Sequence, residues 1–212
     1  MTAPRPGDHA WWLASRASGL VAFALLTAAV LAGLMLGGRL ARRPGLALAL
    51  RVVHEHAAVA GLIAVGVHGA TLLGDTWLRP GLSGVLVPGA IVYRPLAVGA
   101  GIVAAYLAVA LGLSFPLRRR IGQRRWKTAH RFTLLAYALA VGHAVAAGTD
   151  VALAWVRRPV MLSAAAVLVL TALRIEGGRR AAAATRAKVA AAQAARPDDR
   201  PRKPVERTAA AR

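Results

Sequence analysis

From Ala17 to Leu36 the chain carries no charged side chain, and comparable runs extend from His56 to Gly74, from Pro95 to Pro116 and from Pro159 to Leu173. A helix needs ~20 apolar residues to cross a ~30 Å hydrocarbon core. Inside lipid, every backbone polar group must also find its partner within the spanning structure. These runs therefore predict transmembrane helices. A further span is predicted from Thr128 to Gly148, with His130 and Arg131 in its first turn. The run from Pro159 to Leu173 is short, but it spans if Arg158 and Arg174 snorkel toward the interfaces. The expectation is an all-α integral membrane bundle of about five transmembrane helices. The predicted spans lie near 12–36, 51–74, 95–116, 128–148 and 158–175. Residues 1–11 would form an outer tail, 12–175 the bundle, and 176–212 a basic and largely disordered cytoplasmic tail in which Arg180 to Ala195 can form a surface helix. The segment Leu78–Tyr93 is apolar but interrupted by Pro80, Gly81, Gly84, Pro88 and Gly89, which predicts a loop or a short interfacial element. A cleaved signal peptide is the competing reading of the first run. That run exceeds the usual h-region and no strong basic n-region precedes it, so retention is expected.

The distribution of charge decides between two readings of a net charge of +20. Nucleic-acid binding would place the basic residues on the face of a soluble fold. Here the chain is 57% hydrophobic with a mean hydropathy of +0.52, and arginines cluster between and after the apolar runs. All but Arg5, Arg16, Arg79, Arg94, Arg157 and Arg158 of the 28 basic residues fall in the 37–53 connection, the 117–131 connection or the tail from Arg174. The positive-inside bias puts those three segments in the cytoplasm. With an odd number of spans, the N-terminus is then outside and the C-terminus inside. The tail would touch anionic lipid. Trp77, Tyr93 and Trp155 fall at the outer interface as belt residues. The chain has no cysteine, which excludes disulfides, thiolate metal sites and a cysteine nucleophile.

Four of the six histidines form two pairs inside two spans: His54 and His68 in the second, His130 and His143 in the fourth. Ligating groups at membrane depth are costly, and they point to function. At 1.5 Å per residue the two spacings are roughly 21 Å and 20 Å. Both spans run from inside to outside, so His54 and His130 share an inner depth and His68 and His143 an outer one. Facing helices that offer two imidazoles at one depth suit a six-coordinate haem iron. The angles are less regular: at ~100° per residue, a spacing of 14 returns to within about 40° of its face, whereas a spacing of 13 misses by about 140°. A bend or a π-bulge in the fourth span would be needed. His56 is an alternative to His54, which is preferred for its better angular return to His68, and His9 is assigned no role. Glu55 is expected in the first turn of its helix, where a carboxylate suits the dipole. Ala57 with Gly61 and Gly66 with Ala70 form small-xxx-small pairs that permit close helix approach.

The stretches HEHAAVAGLIAVGVH from His54 and HRFTLLAYALAVGH from His130 resemble the ferric reductase-like transmembrane domain family. That family includes the membrane parts of ferric reductases and NADPH oxidases, and the haem-binding subunit of a bacterial methionine sulfoxide reductase system. RASGLVAFALL at Arg16, VYRPLAVGAG at Val92, LRRRIGQRRWKTAH before the fourth span and GTD after His143 are further echoes, shared with small bacterial members. The resemblance covers Trp11 to Leu173. Many members have six spans, one more than predicted here. The resemblance implies two haem b groups per chain in the plasma (inner) membrane of a bacterium, with His54 and His130 as inner and His68 and His143 as outer axial ligands.

The implied activity is transmembrane electron transfer as the membrane subunit of an oxidoreductase, from a cytoplasmic-side or membrane donor to an acceptor at the outer face. The chain has no G-x-G-x-x-G motif after a strand and no P-loop, so no flavin or NAD site is expected in it. The donor would be a separate flavoprotein or quinol, and an outer redox partner is a further expected contact. Arg51 and Arg131 are placed to hold the propionates of the inner haem, and Arg16 and Arg94 those of the outer, although interface anchoring is the readier account of each arginine. Two other functions use the same histidines: a quinol-linked haem anchor for a periplasmic partner, and a proton or metal-ion transporter without haem.

Overall fold

The computed structural model describes residues 6–38, 41 and 43–194, and every regular element among them is helical. The order is α1 (Pro6–Gly37), α2 (Pro44–Leu72), α3 (Gly81–Leu86), α4 (Pro95–Leu113), α5 (Arg118–Ile121), α6 (Gln123–His130), α7 (Thr133–Ala147), a 3₁₀ turn (Asp150–Ala152) and α8 (Ala154–Ala194). Four of these, α1, α2, α4 and α8, are long and apolar enough to cross a membrane. The chain is a multi-pass, all-α membrane protein. Apolar side chains line its outside: Val59 and Ile63 on α2 are 61% and 63% exposed, which suits lipid rather than water as the solvent.

Several boundaries move from their expected places. The helix of the first span begins at Pro6, so part of the expected 1–11 tail is helical, and residues 1–5 lie outside the described residues. The helix of the second begins at Pro44, because proline at the first turn presets φ and lacks only an N–H that would be unpaired anyway. Glu55 is therefore three turns in, not in the first turn. The span expected from Thr128 to Gly148 is two helices, α6 and α7, divided at Arg131–Phe132. At the division Arg131, Phe132 and Leu134 bond to the carbonyls of Thr128, Ala129 and Arg131, three residues back. The last helix starts at Ala154 rather than near Pro159, so its length up to Arg174 is about 31 Å, but its first turns carry Arg157 and Arg158, whose heads must still reach the interface. The 78–93 segment holds only the six-residue α3.

α1 packs along α2 and α4 along α7, with lesser contacts from α1 to α7 and from α2 to α4. The four helices thus form a ring in which α2 and α7 occupy opposite corners. Gly61 lets α1 approach α2, since a methyl group there would sit 2.8 Å from Leu26. Nothing lies near Gly66, so the second small-residue pair makes no such approach. Outside the ring, Val167 and Leu170 of α8 pack on Leu34, Val30 and Leu31 of α1 and on Tyr137, Leu134 and Val141 of α7. Tyr137 is buried; its hydroxyl donates to Ser163 Oγ at 3.0 Å and accepts from Thr27 at 3.5 Å. At the C-terminal end of α7, the last carbonyls are capped by Tyr93 (Ala147, 3.2 Å) and by Arg94 (Ala146), satisfying orphan acceptors at the negative end of the dipole.

The chain divides into this bundle, ending at Arg174, and a second unit from Ile175. The described part of the second unit is exposed helix to Ala194, with an i,i+4 pair between Glu176 and Arg180. Residues 180–194 are helical as the continuation of α8, whereas Ala195 and the disorder expected beyond it lie outside the described residues.

Tyr137→Phe keeps the ring stack on Phe23 but removes the bond to Ser163. It should lower stability in detergent by about 1 kcal/mol, measured by SDS titration of the purified chain. An unchanged unfolding midpoint would mean that this mid-bundle network does not tie α7 to α8.

Candidate functional site

The four span histidines meet in two pairs across the ring. His54 of α2 faces His130 at the end of α6, with ring centres 6.1 Å apart and planes at 85°. His68 of α2 faces His143 of α7, at 6.4 Å and 72°. The 13-residue spacing reaches across because of the α6–α7 division. Bonds to the third residue back mark a 3₁₀ turn, which advances about 120° per residue and recovers part of the missing rotation. His56 is exposed and its Nδ1 contacts the Val52 carbonyl of its own helix, so His54, not His56, enters the pair.

Three of the four rings are held in the same way. His68 Nδ1 lies 2.7 Å from the Ser15 carbonyl, His54 Nδ1 2.7 Å from the Ala29 carbonyl, and His143 Nδ1 2.9 Å from the Ala97 carbonyl. A carbonyl only accepts, so each Nδ1 carries the proton and Nε2 is the nitrogen with a free lone pair. Each accepting carbonyl belongs to a helix and already takes a bond from the N–H four residues on. That fourth residue is glycine in every case: Gly19, Gly33 and Gly101. A Cβ at Gly19 would lie 3.0 Å from His68, one at Gly33 3.1 Å from His54, and one at Gly101 2.5 Å from His143. The missing side chain uncovers the second lone pair of the carbonyl and makes room for the imidazole.

The spacing repeats between partners. Ser15 and Ala29 are 14 apart, as are Gly19 and Gly33, and so are His54 and His68 on α2. Two antiparallel helices of two-heptad period stay in register over that distance. RASG and VGAG stand out in the sequence as segments, but nothing within them marks their glycines as histidine seats. The detectable signal is a small residue followed four later by glycine, repeated at the spacing of the histidines.

The expected arginines divide by depth. Arg51 and Arg131 are exposed near the inner pair. At the opposite end of the bundle, by the His68–His143 pair, Arg16 pairs with Asp150 and lies 4.0 Å over the Trp12 ring, and Arg94 caps α7. A guanidinium has five N–H donors, so neither contact exhausts it. Arg174, read from sequence only as an interface residue, lies against Gly37 at the C-terminal end of α1, where a cation suits the dipole. Among the described residues no cluster of three or more His, Asp or Glu is present. The donors come in twos.

Gly101→Ala should displace His143 and cost roughly 1–3 kcal/mol by overpacking. Gly45→Ala, with open space around it, should be neutral or stabilising by up to about 0.5 kcal/mol. Thermal unfolding of both variants in detergent checks the contrast, and equal effects would contradict the seating of His143 on Gly101. Compared with protein-family models, curated proteins and solved structures, the chain shows no match.

Proposed function

We propose that the chain is a di-haem b transmembrane electron conduit of the ferric reductase-like kind, in a bacterial inner membrane. The observation that carries this reading is the pair of facing imidazoles at each of two depths, with Nε2 left as the lone-pair nitrogen on three of the four rings. A metal ion held between two imidazoles, with bonds of ~2 Å and ~1 Å from each nitrogen to its ring centre, would need ring centres roughly 6 Å apart. Ring centres at 6.1 and 6.4 Å fit that geometry. A bare structural zinc ion takes four protein ligands, whereas each pair here offers two. Two axial donors are what an iron already held by a macrocycle requires. The diagonal placement of α2 and α7 supports the same reading, because these corners are bridged by the imidazoles rather than by backbone packing.

Haem supplies one-electron chemistry when bound, and the protein's part is position and tuning. His54 with His130 would hold the inner group and His68 with His143 the outer. The Nδ1–H bonds to helix carbonyls fix ring orientation and raise the basicity of Nε2. The ~21 Å between His54 and His68 along α2 gives two stations across most of the hydrocarbon thickness. Arg51 and Arg131 are free to pair with inner carboxylates, and the remaining donors of Arg16 and Arg94 with outer ones. The donor is a separate flavoprotein or quinol on the inner side, and the acceptor lies at the outer face. A proton path through the same histidines is less well supported, since three of the four have Nδ1 committed to a helix carbonyl.

The test is electron passage through sealed vesicles. Haem-replete protein in vesicles loaded with ferricyanide should let external dithionite reduce the trapped ferricyanide. The double variant His68→Ala plus His143→Ala should fall to near the rate of protein-free vesicles. Equal rates for wild type and variant would overturn the conduit.

A further inference from the structure

His130 departs from the pattern of the other three rings. Its Nδ1 is buried and has no hydrogen-bond partner among the described residues. Fourteen residues on from Ala97 and Gly101 stand Leu111, in the last turn of α4, and Phe115, just past its end, where the pattern would place the missing seat. That seat is closed: the fourth residue is phenylalanine rather than glycine, and the Leu111 carbonyl accepts from Ser114 Oγ at 2.6 Å. His130 is held instead by Trp126 of α6, with stacked rings 4.8 Å apart at 21°. Trp126 is itself anchored: its Nε1–H donates to Ser114 Oγ at 3.1 Å and Phe115 packs edge-on at 5.8 Å.

We propose that the Trp126–Ser114 clamp is the positioning device of the inner pair, and that it makes the inner centre electronically distinct from the outer. The second half rests on the haem reading given above. A hydrogen bond from Nδ1–H to an acceptor pushes electron density onto Nε2 and makes it a stronger ligand. His54, His68 and His143 have that bond and His130 does not. The outer centre therefore has two strengthened ligands and the inner centre one. A stronger donor favours ferric over ferrous iron, so the inner centre, with one strengthened ligand fewer, would have the higher reduction potential. The clamp sets this difference by denying His130 a carbonyl while still fixing its plane. Trp126 and Ser114 touch no substrate; they act through His130.

The experiment is a potentiometric titration of the full chain in detergent, followed optically, with haem quantified per chain. Wild type should show two waves, and His54→Ala should remove the higher one, assigning it to the inner pair. Trp126→Leu removes the stack and should weaken haem retention at the inner site by roughly ten-fold or more. The outer wave should stay in place and report that the bundle is intact. Trp126→Phe keeps a stacking ring but loses the bond to Ser114, and should shift the higher wave alone. Should Trp126→Leu lose both haems, Trp126→Phe decides. Waves unmoved in both variants, waves moved equally, or loss of the lower wave in His54→Ala would overturn the clamp while leaving two haems per chain intact. A folded wild-type chain without haem would instead overturn the reading beneath it.

Discussion

The arrangement depends on one interaction: an imidazole N–H donated to a helix carbonyl that a neighbouring glycine leaves uncovered. In lipid, a histidine without a partner is costly, and helix carbonyls are already half-satisfied by their own ladder. Their second lone pair is the nearest acceptor, but a side chain four residues on normally shields it. Glycine at Gly19, Gly33 and Gly101 removes the shield. The proton is thereby fixed on Nδ1, and Nε2 is left as the nitrogen with a free lone pair. The interaction also fixes which helices must touch, since α1 seats both histidines of α2 and α4 seats His143 of α7.

Register between the helices follows from that pairing. α1 and α2 share a 14-residue period, so one antiparallel pair can seat two histidines at two depths without distorting either helix. The other side lacks this match. Its histidines are 13 apart, and the chain meets the discrepancy by dividing α6 from α7 and winding more tightly between them. The division also places His130 at the end of a short helix beside Trp126 rather than along a continuous span. The two centres are therefore built alike at the outer end and differently at the inner end.

Much of this plan is legible in the sequence, because uncharged runs and basic connections follow directly from the cost of burying charge in lipid. Membrane helices, and the short α3 within a Pro- and Gly-broken segment, could be placed from those alone. The depth-matching of the histidine pairs also follows from rise per residue once span direction is assigned. What sequence periodicity misses depends on neighbours far along the chain. Nothing local to Gly101 says that His143 will lie against it, and nothing local to Arg16 says that Asp150 will take its guanidinium. Helix extents are misread for a related reason: α2 runs three turns before Glu55, and α8 continues through charged residues, because helix propensity persists after hydropathy has changed sign.

The central claim is that each facing imidazole pair holds one haem. The most direct measurement is haem per chain in wild-type protein purified after expression with ample haem, together with its reduced-minus-oxidised absorbance spectrum. The account predicts two haems per chain with a low-spin b-type spectrum, as two imidazole ligands on each iron require. A folded, membrane-inserted chain that carries none would contradict it and return the four histidines to a transport role.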